Sequence, residues 1–272
     1  MMSIEFFSEK KFISVNFRLF NYNDILNFFN NYMVKKITLS ILHSIRKILT
    51  IFRNHCLPIK SPSLNSISYE MYKKEEIEKS YNYFKKYFPK SVFVLNQYFQ
   101  EFIINKAKEN DPMNNKFYLE FGVWKGHSIN FFSKYTNKIY GFDSFEGLRE
   151  DWYGTLAPKG TFNLYKKLPK VRNNVILIKG WVQDTLDLFL DKHKPEINFI
   201  HLDLDTYEST KFTLEKIKPY LTKKSIITFD QLYNYPGWEM GEYKALKEIF
   251  NENEYEYIAF CSNGEQVAIR II

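Results

Sequence analysis

Cysteine is almost missing from this chain: Cys56 and Cys261 are its two thiols among 272 residues, far apart and outside any Cys-x-x-Cys spacing. That excludes a disulfide framework and a cysteine-based zinc site, and it fits a reducing, cytoplasmic setting. Long apolar runs are also lacking. No stretch reaches the ~18 residues that span a bilayer. Glu5, Glu9, Lys10 and Lys11 interrupt the opening residues, so no signal peptide is expected there. A long basic block is absent as well, because the 38 Lys and Arg are scattered among 31 acids and leave a net charge of +7. The expected result is a solvated basic surface, and nucleic acid is not an expected partner. Internal repeats and long low-complexity tracts do not occur.

What is present is apolar and aromatic: 45% and 18% of the residues, respectively. A chain so composed buries a sizeable core, which excludes wholesale disorder. The length suits one large domain with an extension, divided as a helical N-terminal part, 1–65, and a larger domain, 66–272.

In the N-terminal part, Val34, Ile37, Ile41, Ile45, Ile48 and Phe52 recur at three and four, the stripe of one helix face over 33–53. Lys35, Lys36, Arg46, Lys47 and Arg53 flank it. Such a helix packs on the following domain or on a second copy of the chain; weak contact with an anionic membrane surface is the alternative. Residues 58–68, with two prolines and four serines, read as a linker. Helices are expected over 70–87, stopping before Pro89, and over 91–109, stopping before Pro112.

Beyond residue 116, short apolar runs alternate with amphipathic stretches. Strands are expected at 116–121, 138–142, 174–179, 197–203 and 225–229, and helices near 126–135, 184–193, 207–220 and 241–252. This alternation predicts a parallel sheet with helices on both faces. Residues 255–260 and 265–271 are two further strands around Ser262-Asn263-Gly264, a turn signal that makes the last strand antiparallel.

Chemistry belongs at the carboxyl ends of such strands. Glu120-Phe-Gly122-Val-Trp-Lys-Gly126 follows the first strand and opens a helix, and Gly122 permits close backbone approach. Amides near Gly126 and Ser128 suit a carboxylate or phosphate. Asp143 ends the next strand, roughly 20 residues on, where an acid accepts from ribose hydroxyls in nucleotide folds. Trp181 and Asp184 follow the third strand and suit a base, one by stacking and one by hydrogen bonding; Asp184 as a helix cap is the bland alternative. Asp203 and Asp205 are two apart at a strand end, so alternation puts both on one side, and Asp230 ends the adjacent strand. Three converging carboxylates call for a hard cation such as Mg2+, with Gln231 and Asn234 as neutral oxygen donors. His201 shares a face with Asp203, as a core residue first and a catalytic one second. The long segment 144–174 has the length of a lid. Trp152, Tyr153 and Phe162 within it would cover a sugar or aromatic acceptor, and its lysines an acidic one.

Taken together, LEFGVWKGHS, YGFDSFEGL, KGWVQDTL, FIHLDLDTYEST and FDQ…NYPGWEMGE resemble the macrocin O-methyltransferase family over roughly 90–272. The resemblance implies an α/β, Rossmann-like class I methyltransferase fold: a seven-stranded, mostly parallel sheet with an antiparallel last strand. It implies S-adenosylmethionine as cofactor, held by Glu120, Gly122, Lys125, Gly126, Ser128, Asp143, Ser144, Trp181 and Asp184. It implies Mg2+ on Asp203 and Asp230 with Asp205 or Gln231; one nearby carboxylate or histidine would then remove the acceptor's proton, the candidates being Asp205 first as base, Asp203 first as metal ligand, and His201. Gln231 stands where many metal-dependent relatives have an acid or Asn. The implied activity is methyl transfer to a hydroxyl of a sugar, a sugar-containing natural product or a glycan, and the N-terminal helices would assist a homo-oligomer. Two other classes share parts of the pattern: an NAD-dependent oxidoreductase, which leaves the acids after the fourth and fifth strands unexplained, and a non-catalytic membrane-associated protein that kept the fold.

Overall fold

Apolar runs in this chain find partners on both faces of one sheet. A computed structural model describes residues 64–272, which form one unit. The expected 33–53 helix, with His43, His55 and Cys56, lies outside the described residues.

The elements in chain order are α1 (Leu64–Phe84), β1 (Val92–Val94), α2 (Asn96–Asn110), β2 (Phe117–Phe121), α3 (His127–Phe132), β3 (Ile139–Asp143), β4 (Val175–Lys179), α4 (Val182–His193), β5 (Ile197–Leu202), α5 (Tyr207–Ile217), β6 (Leu221–Phe229), α6 (Glu242–Ile249), β7 (Tyr255–Cys261) and β8 (Val267–Ile271). They build an eight-stranded sheet in the order β1-β7-β8-β6-β5-β2-β3-β4. β8 runs antiparallel to both β6 and β7, and the other neighbours pair in parallel. The seven expected strands are therefore present, with the last one reversed.

Three sequence expectations need correction. An eighth strand, β1, replaces the start of the expected 91–109 helix, because Val92-Phe-Val94 is a β-prone run that pairs with Ala259–Cys261 at the open edge. The expected 58–68 linker gives way to helix from Leu64 onward: beyond Pro62 no proline remains to forbid it. Finally, α1 stops at Phe84, short of residue 87, and Pro89 sits in a separate 3-10 turn, Phe88–Lys90.

Alternation sorts the strands' side chains between two layers of core. Leu119, Phe121, Ile200, Leu202, Ile227 and Phe229 face a layer completed by Phe84 of α1, by Leu186 and Phe189 of α4, by Leu214 of α5 and by Leu246 of α6. Tyr118, Phe199 and Ile226 face the other, completed by Phe99, Ile103 and Ala107 of α2 and by Ile129 and Phe132 of α3. Every side chain of β5 is buried, as a central parallel strand requires. Into this interior the sequence places two ionisable residues, Glu120 and His201, facing each other across the ladder.

Candidate active site

A cleft of about 260 Å3 opens at the carboxyl ends of β2, β3, β5 and β6. Gly122, Asp143, Ser144, Trp181, Asp203, Asp205, Asp230 and Gln231 all line it, with Trp124, Arg149, Trp152 and Phe162. The sequence thus brings the small-residue loop, the lone acid and the carboxylate group to one place, as expected.

Gly122 is fixed by geometry twice over. Its φ is +86°, and a Cβ there would stand 1.7 Å from the Asp203 carbonyl oxygen, so β2 can turn away against β5 only through glycine. The turn continues with Trp124 in the left-handed region at φ +44°. Asp143 holds that turn: its Oδ2 accepts from the amides of Val123 at 2.9 Å and Trp124 at 2.7 Å, and its Oδ1 accepts from Phe145 at 2.6 Å. With about two acceptor directions per carboxylate oxygen, Oδ1 keeps one for a ligand. Trp181 follows β4 at the cleft wall, its ring covered by the Arg149 guanidinium at 5.6 Å. Above, Trp124 and Phe162 meet edge-on at 5.3 Å, which joins the loop to the 144–174 segment.

Several expected cofactor residues lie elsewhere. Glu120 is fully buried and absent from the cleft lining; its Oε1 accepts from Ser128 Oγ at 2.9 Å. Depth explains it: Glu120 shares a face with His201 and Asp203 but pairs with His201 inside the ladder, one step below the strand ends that open on the cleft. Gly126 is the left-handed residue before α3 and packs on Val171 and Pro169. The Lys125 ammonium sits over the Trp124 ring at 4.1 Å, and Asp184 is exposed in the first turn of α4. None of these three lines the cleft. Ser144 lines it while capping the Glu146 amide.

The acidic group is arranged by the ladder. The Asp203 amide donates to Phe121 O at 2.8 Å and the Asp230 amide to Leu202 O at 2.9 Å, so sheet geometry extends one residue past each strand end. Asp203 therefore shares its side with His201, as alternation predicts. The alternation does not reach Asp205. That residue has φ +61°, and Thr206 N donates to Leu204 O at 2.6 Å around it, a tight three-residue turn. One ligand atom each from His201, Asp203 and Asp230 lies within 4.8 Å of the others, a group that does not include Asp205. Gln231 donates through Nε2 to Asp230, and its Oε1 is a buried acceptor without a donor. Gln266 also donates to Asp230, a partner that no sequence spacing indicated. Asn234 turns away to bond Ser80 of α1.

Protonation follows from this crowding. Burial, with the Asp230 and Asp205 carboxylates beside it, holds the Asp203 carboxyl well above its ordinary value. Asp205 is likewise raised by burial and by Asp230. Burial alone would depress the His201 imidazole, but the Asp230 and Glu120 carboxylates outweigh it and hold it well above the usual range. Asp230 is in turn kept low, against its burial, by His201 and the two glutamine amides. Sequence reasoning missed Glu242. It is fully buried on α6, accepts from the Gln231 amide at 3.2 Å and is raised by burial and by Asp205 and Asp230. A glutamate in an amphipathic helix gives no signal that it faces inward.

Residues 119–232 match the family model of a methyltransferase domain. No curated protein matches the chain. Among solved structures, the calicheamicin methyltransferase CalS11 is similar at 22% identity, over 82% of this chain and 90% of that one, with a TM-score of 0.54. The O-methyltransferase NovP aligns at 20% identity over 63% and 78% of the two chains, with a TM-score of 0.44. The strand order and the CalS11 likeness identify the fold as the Rossmann-like fold of class I methyltransferases.

Proposed function

We propose that this protein is an S-adenosylmethionine-dependent O-methyltransferase acting on a hydroxyl of a sugar or sugar-bearing small molecule. One observation carries the reading: the Gly122 turn and Asp143 stand in the same cleft as Asp203 and Asp230. A nucleoside-binding unit and an acidic, proton-accepting group thus share one hollow. The matched methyltransferase domain spans both halves of it. CalS11 is described as a TDP-rhamnose 3'-O-methyltransferase, which favours a sugar hydroxyl as acceptor.

The residues fit the cofactor. Asp143 Oδ1 retains an acceptor direction for a ribose hydroxyl, Trp181 offers a ring to a base, and Gly122 lets the backbone approach. When bound, S-adenosylmethionine supplies an electrophilic methyl group on sulfur. The protein's task is then alignment of the acceptor oxygen for in-line displacement and removal of its proton. Asp205, which lines the cleft outside the His201–Asp203–Asp230 group, is the carboxylate left to take that proton. Trp152, Trp124 and Phe162 present apolar faces to a sugar ring and exclude water.

A divalent cation also fits, on the test of donors: His201, Asp203 and Asp230 converge, and Gln231 Oε1 is a buried acceptor that lacks a donor. A cation there would lower the pKa of the acceptor hydroxyl. Calorimetric titration with S-adenosylhomocysteine, with and without added Mg2+ or chelator, tests the proposal. Saturable binding is expected in at least one condition. Absence of binding in all of them rejects the methyltransferase assignment.

A further inference from the structure

We propose that the outer lip of the cleft, formed by residues 124–126 and 162–172, is a docking surface for an anionic lipid bilayer. The surface is independent of the methyl-transfer reading and makes no use of the acidic group inside the cleft.

Charge is the first observation. Between Asp151 and Asp184 the chain has no acid, but it has Lys159, Lys166, Lys167, Lys170, Arg172 and Lys179. The rest of the chain is close to balanced, so these six account for most of the net charge of +7. All six side chains are exposed. Among the described residues, Lys166 alone of the six has an acid within ion-pair distance, Glu146 at 3.3 Å. Lys125, also exposed, adds a further cation seated on the Trp124 ring.

Apolar side chains stand between these cations. Tyr165 is 80% exposed and Leu168 is 55% exposed, each flanked in the chain by lysines. Phe162 and Trp124 are exposed as well and meet edge-on at 5.3 Å, while Gly126 packs on Pro169 and Val171. These contacts join 124–126 to 162–172 as one continuous surface beside the cleft mouth.

The backbone fixes how the surface is displayed. Tyr165 and Lys166 are consecutive left-handed residues, at φ +53° and +62°, a region that disfavours side chains other than those of asparagine and aspartate. Hydrogen bonds hold them there: the Leu164 and Lys166 amides both donate to Phe145 O, at 3.2 and 2.9 Å, and Lys179 Nζ donates to Lys166 O at 2.9 Å. A turn made only to be wet would carry glycine or asparagine. This one presents a tyrosine to solvent in an unfavourable conformation that its surroundings enforce, the mark of a functional position.

Chemistry selects the occupant. A small anion is bound by donors that converge on a hollow, whereas these cations are spread over a lip. A polynucleotide would satisfy the lysines but leave Leu168 without an apolar partner. At an anionic bilayer both kinds of group are satisfied together: Tyr and Trp rings sit at headgroup level, Leu reaches the acyl chains, and Lys and Arg extend to the phosphates. Each basic residue held near such a surface strengthens binding about fivefold.

The test uses the full chain with vesicles of phosphatidylcholine and phosphatidylglycerol in equal parts, and with vesicles of phosphatidylcholine alone. Trypsin cleavage at Lys166, Lys167 and Lys170 is followed by mass spectrometry, relative to a reference peptide in the same mixture. An excess of anionic vesicles is expected to slow these cuts at least ~10-fold, and neutral vesicles to leave them within about twofold. The double variant Tyr165→Asn, Leu168→Asn keeps every cation and suits the left-handed turn; in sedimentation it is expected to bind anionic vesicles at least ~10-fold more weakly. Lys167→Gln with Lys170→Gln is expected to lose about 20-fold. Unchanged affinity in either double variant overturns the proposal, as does equal protection by neutral vesicles or by a soluble polynucleotide. Sedimentation without protection of these lysines places binding elsewhere on the chain and overturns it too, and so does no binding at all. Every measurement is made without cofactor or acceptor, so failure of the methyltransferase reading leaves these results standing.

Discussion

The Asp143 carboxylate is largely occupied by its own backbone, accepting three amides that shape the Gly122–Trp124 turn. Asp143→Asn keeps one oxygen and sets an amide group against backbone donors. We expect it to cost about 2 kcal/mol, roughly 4–8 °C in melting temperature for a domain of this size, and to weaken S-adenosylhomocysteine at least tenfold. A loss of affinity at unchanged melting temperature would show a carboxylate acting on the ligand alone. Glu265, in the β7–β8 connection, gives a pH prediction. Burial, with Asp230 nearby, pushes its carboxyl from 4.5 up to about 7. The folded state thus keeps a proton that the unfolded state releases, so the group's contribution is fully present below pH 4.5 and is lost as pH rises through about 7. Glu265→Gln should therefore raise the melting temperature at pH 8 and leave it nearly unchanged at about pH 4, below the unfolded-state value of 4.5. The gain is limited to about 1 kcal/mol because the side chain is partly solvated; equal melting temperatures at pH 8 would contradict the assignment. At this scale the sequence revealed residue types and positions better than directions. Gly122, Asp143, Asp203 and Asp230 were legible because strand ends locate them. Glu120 and Asp205 were not, since one depends on how far below the strand end its side chain sits and the other on a left-handed turn.

At the scale of elements, parallel strands were readable from apolar runs bounded by turn residues, and all seven appeared within a few residues of their expected places. β1 escaped because three residues carry too little periodicity to separate strand from helix. The 144–174 segment was legible as a connection but not as a structure, because its ends are tied by side chains distant in sequence. Asn130 of α3 makes one such tie: its Nδ2 donates to Lys170 O at 3.1 Å and its Oδ1 accepts from the Arg172 amide at 2.9 Å. Nothing in the spacing of 130 and 172 announces the pair. Asn130→Ala removes both bonds while leaving the sheet untouched. Trypsin is then expected to cut at Lys166, Lys167, Lys170 or Arg172 at least ~10-fold faster, in line with about 1–2 kcal/mol of lost local stability, with the far-ultraviolet circular dichroism unchanged. An unaltered cleavage rate would mean that the Trp124–Phe162 contact alone holds the segment.

For the whole molecule, the question is where the folding unit begins. Phe84, near the end of α1, is fully buried among Tyr233, Trp238, Tyr243, Tyr257 and Phe260, with ring centroids 5.4–5.8 Å away. Ser80, one turn earlier, accepts from the Asn234 amide at 3.2 Å and so ties α1 to the loop that follows Asp230. α1 is therefore core to this unit, and the loop that carries part of the cleft depends on it. Removing Phe84 costs about 3–5 kcal/mol by the usual measure of a buried phenylalanine, a large share of the ~5–15 kcal/mol that holds a domain together. A chain shortened to 64–272 is expected to melt cooperatively and to bind S-adenosylhomocysteine within about threefold of the full chain, since every side chain that lines the cleft is retained. A chain shortened to 88–272 keeps all eight strands and every cleft residue, yet it is expected to lose the cooperative melt. If the shorter chain melts like the longer one, the aromatic cluster around Phe84 is dispensable and α1 is an ornament on the sheet; if both fail, the unit needs residues that precede Leu64.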